Sequence, residues 1–221
     1  MTNELYYDSI ADHFESWTND FDLRTRLEWF SDRIDEFDMD HALVLDVGSG
    51  LGHFSRLVER KQGRCISLDI AGRMLSRSGV PRPVQASALR LPFSDGSLQV
   101  VVSSECIEHT PDPTRAIRDM VRVLRPGGVL ILSCPNHAWR WSVPVARGLG
   151  LRKFSGPENW PRLGEVRQAL EESGAEVVLE QGLYLLPFQL SPLKPLISWL
   201  NRHAQRLRSL MINQCWVVRR R

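Results

Sequence analysis

The chain has 221 residues, 43% of them hydrophobic and 24% charged, with a formal net charge of +2. That composition suits one soluble domain with a sizeable core and excludes a disordered or disulfide-dense chain. The charge is uneven, because residues 1–41 hold 12 acids against 3 arginines, whereas residues 201–221 hold 6 arginines and no acid.

Cys65, Cys106, Cys134 and Cys215 lie far apart, without a C-x-x-C pair, and three of them fall in or beside predicted buried strands, where a free thiol behaves as a small hydrophobe. The N-terminus lacks the basic and apolar regions of a secretory signal, so a cytoplasmic location is expected. The longest apolar-rich stretch, Leu183 to Leu200, is broken by Pro187, Pro192, Lys194 and Pro195 and makes a poor membrane span.

In chain order, residues 4–17 place Leu5, Tyr6, Tyr7, Ile10, Phe14 and Trp17 at near-helical spacing. From Asp22, Leu23, Leu27, Phe30, Ile34 and Phe37 recur at intervals of four and three, which predicts an amphipathic helix. The apolar run Ala42 to Val47 then stops at Gly48, Gly50 and Gly52, after which Phe54, Leu57 and Val58 take up helical spacing. Strand, glycine turn and helix form a nucleotide-binding layout. Glycine lets backbone approach a ligand closely, and the helix N-terminus offers unpaired N–H groups.

A second strand, 64–69, ends in Asp69, a carboxylate placed to accept both hydroxyls of a ribose. Pro83-Val-Gln-Ala86 reads as a short third strand and Leu98–Ser104 as a fourth. Glu105-Cys-Ile-Glu-His109 follows, and Asp112 with Pro113 is a helix N-cap and first turn. The next helix should bury Ala116, Ile117, Met120, Val121 and Leu124 and stop at Pro126-Gly-Gly128, before a buried strand over 129–134. A tryptophan- and arginine-bearing connection over 136–160 leads to a helix through Leu163, Val166 and Leu170. A strand over 176–180, a helix over 196–207 and a last strand over 212–218 complete the chain. Alternating strands and helices predict an α/β, doubly wound sheet with helices on both faces.

The spacing Asp46-x-Gly48-x-Gly50-x-Gly52 differs from the dinucleotide pattern and resembles motif I of the class I S-adenosylmethionine-dependent methyltransferases. Asp69-x-x-x-x-Met74-Leu75 resembles the same family's continuation. So does Ser87-Ala-Leu-Arg-Leu-Pro-Phe93, although Ser87 stands where that family usually carries an acid facing the adenine amino group. The block from Glu105 to Asn136 resembles methyltransferases of the type 11 kind, such as the ubiquinone-pathway O-methyltransferases. The resemblance implies a Rossmann-like seven-stranded sheet with its last strand antiparallel, in one domain. In that domain 1–41 is a helical cap, 42–136 the cofactor-binding core and 137–221 the acceptor side.

It further implies S-adenosyl-L-methionine as cofactor, held by Asp46, Gly48, Ser49, Gly50, Gly52, Asp69, Ile70, Ser87, Ala88, Leu89 and Glu105. His109, just past the fourth strand, is the candidate base, with Glu108 beside it. Glu105, Glu108 and His109 also resemble a divalent-metal triplet of small-RNA methyltransferases, with His137 as the nearest fourth ligand; a metal is not the favoured reading. The expected acceptor is a small molecule or lipid-like compound, held partly by the 137–160 segment. The acidic N-terminal segment argues against nucleic acid, and the apolar and basic stretch over 183–208 suits peripheral membrane contact. The alternatives are an RNA or protein methyltransferase, or a non-catalytic S-adenosylmethionine-binding protein of the same fold.

Overall fold

A computed structural model describes residues 3–37, 39, 42–185, 196, 199, 203 and 205–221. Seven strands form one sheet in the order β3-β2-β1-β4-β5-β7-β6. They are β1 (Leu43–Val47), β2 (Arg64–Asp69), β3 (Pro83–Gln85), β4 (Leu98–Ser104), β5 (Leu124–Pro135), β6 (Ala175–Leu183) and β7 (Asn213–Arg220). β1 pairs parallel with β2 and β4, β2 with β3 and β4 with β5. β7 is inserted antiparallel between β5 and β6. This is the doubly wound order the sequence predicts.

Alternation along each strand builds two cores. Leu45, Val47, Val101, Leu130 and Trp216 face α6 (Pro113–Val123) and α8 (Leu163–Glu172). Val44, Val100, Val102, Ile131 and Val217 face α3 (Asp20–Ile34) and α4 (His53–Arg60). Because helices cover both faces, the central strands read as near-continuous apolar runs.

Two boundaries differ from the sequence reading. The first apolar stretch is not one helix but α1 (Asn3–Ile10) and α2 (Phe14–Trp17). At the break, Asp12 meets Arg73 Nη2 at 2.9 Å and Arg77 Nη1 at 2.7 Å, while Asp8 accepts the Arg73 N–H at 2.9 Å. The chain thus bends to follow α5 (Gly72–Ser78). α6 ends at Val123, before Pro126. Leu124 is buried as expected, but it is extended and opposite Leu98 in the sheet. The Arg220 guanidinium secures that switch by donating to the carbonyls of Arg122 and Leu124.

Much of the predicted helix over 196–207 and most of the Leu183–Leu200 stretch, including Pro187, Phe188, Pro192, Lys194 and Pro195, lie outside the described residues; Leu196, Trp199 and His203 are helical, and residues 205–207 belong to a 3-10 turn. Among those described, no helix is long and apolar enough to cross a membrane.

Candidate active site

The site lies at the carboxyl ends of β1, β2 and β4, where open parallel sheets bind ligands. Gly48, Gly50 and Gly52 all have positive φ, at 75°, 49° and 77°. Their surroundings differ. A Cβ on Gly48 would collide with the Cys106 side chain, and one on Gly52 with Val80, whereas one on Gly50 would meet nothing within 4 Å. So Gly48 and Gly52 let the turn pack, and Gly50 leaves space for a ligand. The Gly48 and Ser49 N–H groups both donate to the Leu68 carbonyl, at 2.8 and 2.9 Å, which pins the turn to β2.

Asp69 closes the same turn. Its Oδ2 accepts the Gly50 N–H at 2.8 Å and its Oδ1 the Ala71 N–H at 2.9 Å. Burial pushes its pKa up, and these N–H groups oppose the shift. Asp46 lies beneath the turn, 1% exposed, with the Ser55 hydroxyl donating to it at 2.6 Å. Burial pushes Asp46 up to about 7. It supports the turn from below and does not line the cavity, and nor does Gly52.

One cavity, about 1120 Å³ counted to its open mouth, runs along this edge. Of the residues singled out in the sequence, Gly48, Ser49, Gly50 and Asp69 line its turn side. Ile70, Ser87, Ala88 and Leu89 form another wall, and Glu105 and His109 border it across β4. Glu108 instead borders an adjoining cavity that shares Ser87, Leu89 and His109 with the first.

The largest residue missed by sequence reasoning is Arg26 of α3. It is 7% exposed and lines the cavity, its Nη1 donating to Ser104 Oγ at 2.8 Å and its Nη2 to Asp22 at 2.9 Å. A signal existed: Arg26 stands three residues after Leu23 and four before Phe30, beside the apolar stripe. Glu105, non-glycine yet at φ 53°, sits next to Ser104 and accepts from Ser133 Oγ at 3.1 Å. Burial raises its pKa, and the Arg26 charge opposes that shift. The N-terminal helices add Tyr7, Phe14 and Thr18 to the cavity lining.

Around His109 the site is aromatic and acidic. Its ring meets Tyr7 and Phe154 edge-on, with centroids 5.6 and 5.3 Å away. Its Nε2 lies 3.7 Å from Glu108 Oε1, and its Nδ1 lies 3.5 Å from the Pro157 carbonyl. Burial lowers the His109 pKa to about 4, so the imidazole is neutral at pH 7. Burial, reinforced by the Glu105 charge, raises Glu108 well above the carboxylate range. Glu158 accepts two bonds from Arg152, at 2.7 and 2.5 Å.

Of the 137–160 segment, Pro157, Glu158 and Asn159 reach the second cavity and Phe154 reaches His109. Trp139 and Trp141 line neither cavity. Among the described residues, no three His, Cys, Asp or Glu side chains gather as an ion site. His137 Nδ1 is directed at the Trp160 carbonyl at 2.8 Å.

Residues 45–132 match the family model described as a methyltransferase domain. The matched span holds the glycine turn, Asp69 and β4. An uncharacterised methyltransferase of Mycobacterium sp. strain JLS is 43% identical over 96 residues, covering 41% of this chain and 37% of that protein. A protein of Mycolicibacterium smegmatis named as a probable S-adenosylmethionine-dependent methyltransferase is 32% identical over 145 residues, 64% of this chain and 54% of its own length. The chain therefore spans about a third to a half of these relatives. The crystal structure of an S-adenosylmethionine-dependent methyltransferase from Mesorhizobium loti shares the fold, with a TM-score of 0.65 at 19% identity, covering 90% of this chain and all of that one.

Proposed function

We propose that this protein is an S-adenosylmethionine-dependent methyltransferase acting on an apolar or amphiphilic small molecule. The observation that carries the cofactor reading is the open side of Gly50 directly beside the Asp69 carboxylate, in one cavity. The residues present fit the cofactor. Asp69 keeps lone pairs for ribose hydroxyls, and Ser87 and Leu89 border the base side. The ends of β2 and β4 are two strand spacings apart, ~10 Å. There Arg26 and Glu105 offer the opposite charges that an α-amino acid group requires.

When bound, the cofactor supplies an electrophilic methyl group on a sulfonium. The chain's own work is to orient the acceptor, exclude water and remove a proton where the acceptor carries one. Neutral His109, bordering both cavities, is the group placed to take that proton at a ring nitrogen.

The adjoining cavity supports the acceptor class. Ile70, Leu89, Pro111 and Pro157 give it apolar walls, and no lysine or arginine lines it. An anionic acceptor such as a phosphate backbone would find no cation on these walls, because Arg152 is already bonded to Glu158. The resemblance to ubiquinone-pathway O-methyltransferases points the same way.

Two measurements test the reading. Calorimetry should show binding of S-adenosylmethionine and its demethylated product; tight binding of a dinucleotide instead refutes it. Methyl label from the cofactor, incubated with cell extract and partitioned, should enter the organic phase. Label confined to RNA or protein refutes the acceptor class.

A further inference from the structure

Ten large apolar side chains are strongly exposed among the described residues, and eight of them fall within 141–151 and 196–210. Trp141, Val145 and Leu149 recur every fourth residue along α7 (Ser142–Gly148) and its ends, at 62%, 47% and 65% exposure, and Leu151 follows at 64%. A four-residue repeat puts side chains in one line on a helix. Leu207 and Leu210 are exposed on the 3-10 turn Gln205–Leu210. The two segments are joined: Trp139 stacks on Trp141 and donates its Nε1–H to the Leu210 carbonyl at 2.7 Å, and Asn136 Nδ2 donates to the Ser209 carbonyl at 2.8 Å. A clustered apolar surface of this kind marks an interaction site, because monomers scatter their exposed apolar groups.

Charge identifies the occupant. Residues 137–157 hold four Lys or Arg and no acid, and residues 181–221 hold no acid either. Arg140, Lys153 and Arg206 are exposed and make no ion pair among the described residues. A second copy meeting this face about a two-fold axis would set cations against cations. Aliphatic side chains such as Val145, Leu149 and Leu151 give a nucleic acid nothing to stack on. Tryptophan, aliphatics and unpaired cations together are the chemistry of a helix lying in a lipid headgroup layer.

We infer that the surface built by α7 and the 205–210 turn docks on an anionic lipid bilayer. The segment following α7 carries Phe154, Pro157 and Glu158 to the site, so docking brings the acceptor cavity close to the lipid. This surface is independent of methyl transfer, since it can be tested without cofactor or turnover.

The test is co-sedimentation of the whole protein with vesicles of phosphatidylcholine, alone or with about one-third phosphatidylglycerol. The expected result is binding to the anionic vesicles, weakened by 0.5 M salt. Arg140→Glu with Lys153→Glu should lower the partition coefficient at least about tenfold, at ~1 kcal/mol per cation removed near the surface. Trp141→Ser with Leu149→Ser should lower it similarly, with an unchanged melting temperature showing that the fold is intact. Absence of binding to anionic vesicles overturns the inference. So does binding that both double variants retain, or a wild-type dimer that disappears in Trp141→Ser/Leu149→Ser while vesicles are ignored.

Discussion

Replacing Gly50 and Gly52 separately by alanine distinguishes a ligand-facing glycine from a packing one. Both have positive φ, so each alanine costs about 1–2 kcal/mol of backbone strain. Part of that is returned by a less flexible unfolded chain. At Gly50 the added methyl meets nothing within 4 Å, so the net loss should stay near 1 kcal/mol. For a chain of this length that is a fall of about 2–4 °C in Tm. At Gly52 the methyl overlaps the Val80 side chain, which is 7% exposed, and crowds Arg56 Nη1 at 3.3 Å. Overpacking adds about 1–3 kcal/mol, so the total approaches ~3 kcal/mol and a fall of roughly 6–12 °C. Binding should show the reverse order. The Gly50 methyl occupies ligand space, and the same overpacking cost applied to the complex raises Kd about ten- to hundredfold. Thermal melts without ligand, with calorimetry against the demethylated cofactor, read both quantities. Wild-type affinity in Gly50→Ala, or a wild-type melt in Gly52→Ala, refutes the assignment.

Asp69→Ala removes the acceptor of the Gly50 and Ala71 N–H groups, so it should lower stability by about 2–4 kcal/mol and weaken cofactor binding roughly a hundredfold; an unchanged Kd in the folded variant would discard the ribose role. His109 has a folded pKa of about 4, below the unfolded ~6.5, so the unfolded state binds its proton first as pH falls. Stability should drop from about pH 6.5 toward pH 4, by at most ~3 kcal/mol and less because 22% of the side chain is exposed; His109→Gln should flatten that window in urea titrations. If His109 is the base, kcat/KM falls with acid through about pH 4, and full activity of His109→Ala excludes the role. Asp46 carries the opposite sign: its folded pKa of about 7 exceeds the unfolded ~3.9, so wild-type stability falls as pH rises from about 4 to 7. Asp46→Asn should therefore gain relative to wild type at pH 8 compared with pH 4, and parallel pH curves would contradict this. Dialysis against a chelator should leave activity unchanged; loss restored by Mg²⁺ or Mn²⁺ would reinstate the Glu105, Glu108 and His109 metal reading.

What was legible in the sequence was local. Strands β1, β2, β4 and β5 announce themselves as buried apolar runs, and the glycine spacing with Asp69 marks the turn between them. What was not legible depends on partners distant in sequence. The α1–α2 break follows ion pairs from Asp12 to residues 61 and 65 positions away. Leu124 leaves its helix because Leu98 and Arg220 claim its backbone surroundings. The 137–160 segment was expected to hold part of the acceptor. Trp139 bonds the turn before β7 and Trp141 stacks on Trp139, while only the end of the segment reaches the two cavities, a division its mixed composition does not encode.

Arg26 shows how the cap and the sheet act on one site. Its bond to Ser104 spans 78 residues, and Ser104 meets Ser133, which donates to Glu105. Burying such charges costs desolvation that their attraction seldom recovers, so the network is weak evidence for added stability. Its position says more. It ties α3 to the ends of β4 and β5 at the wall of the cavity, where Tyr7, Phe14 and Thr18 form the roof. Displacement at a sulfonium carbon gains chiefly from alignment and exclusion of water. An arginine that both anchors α3 and lines the cavity ties the position of that roof to the charge at the cavity wall.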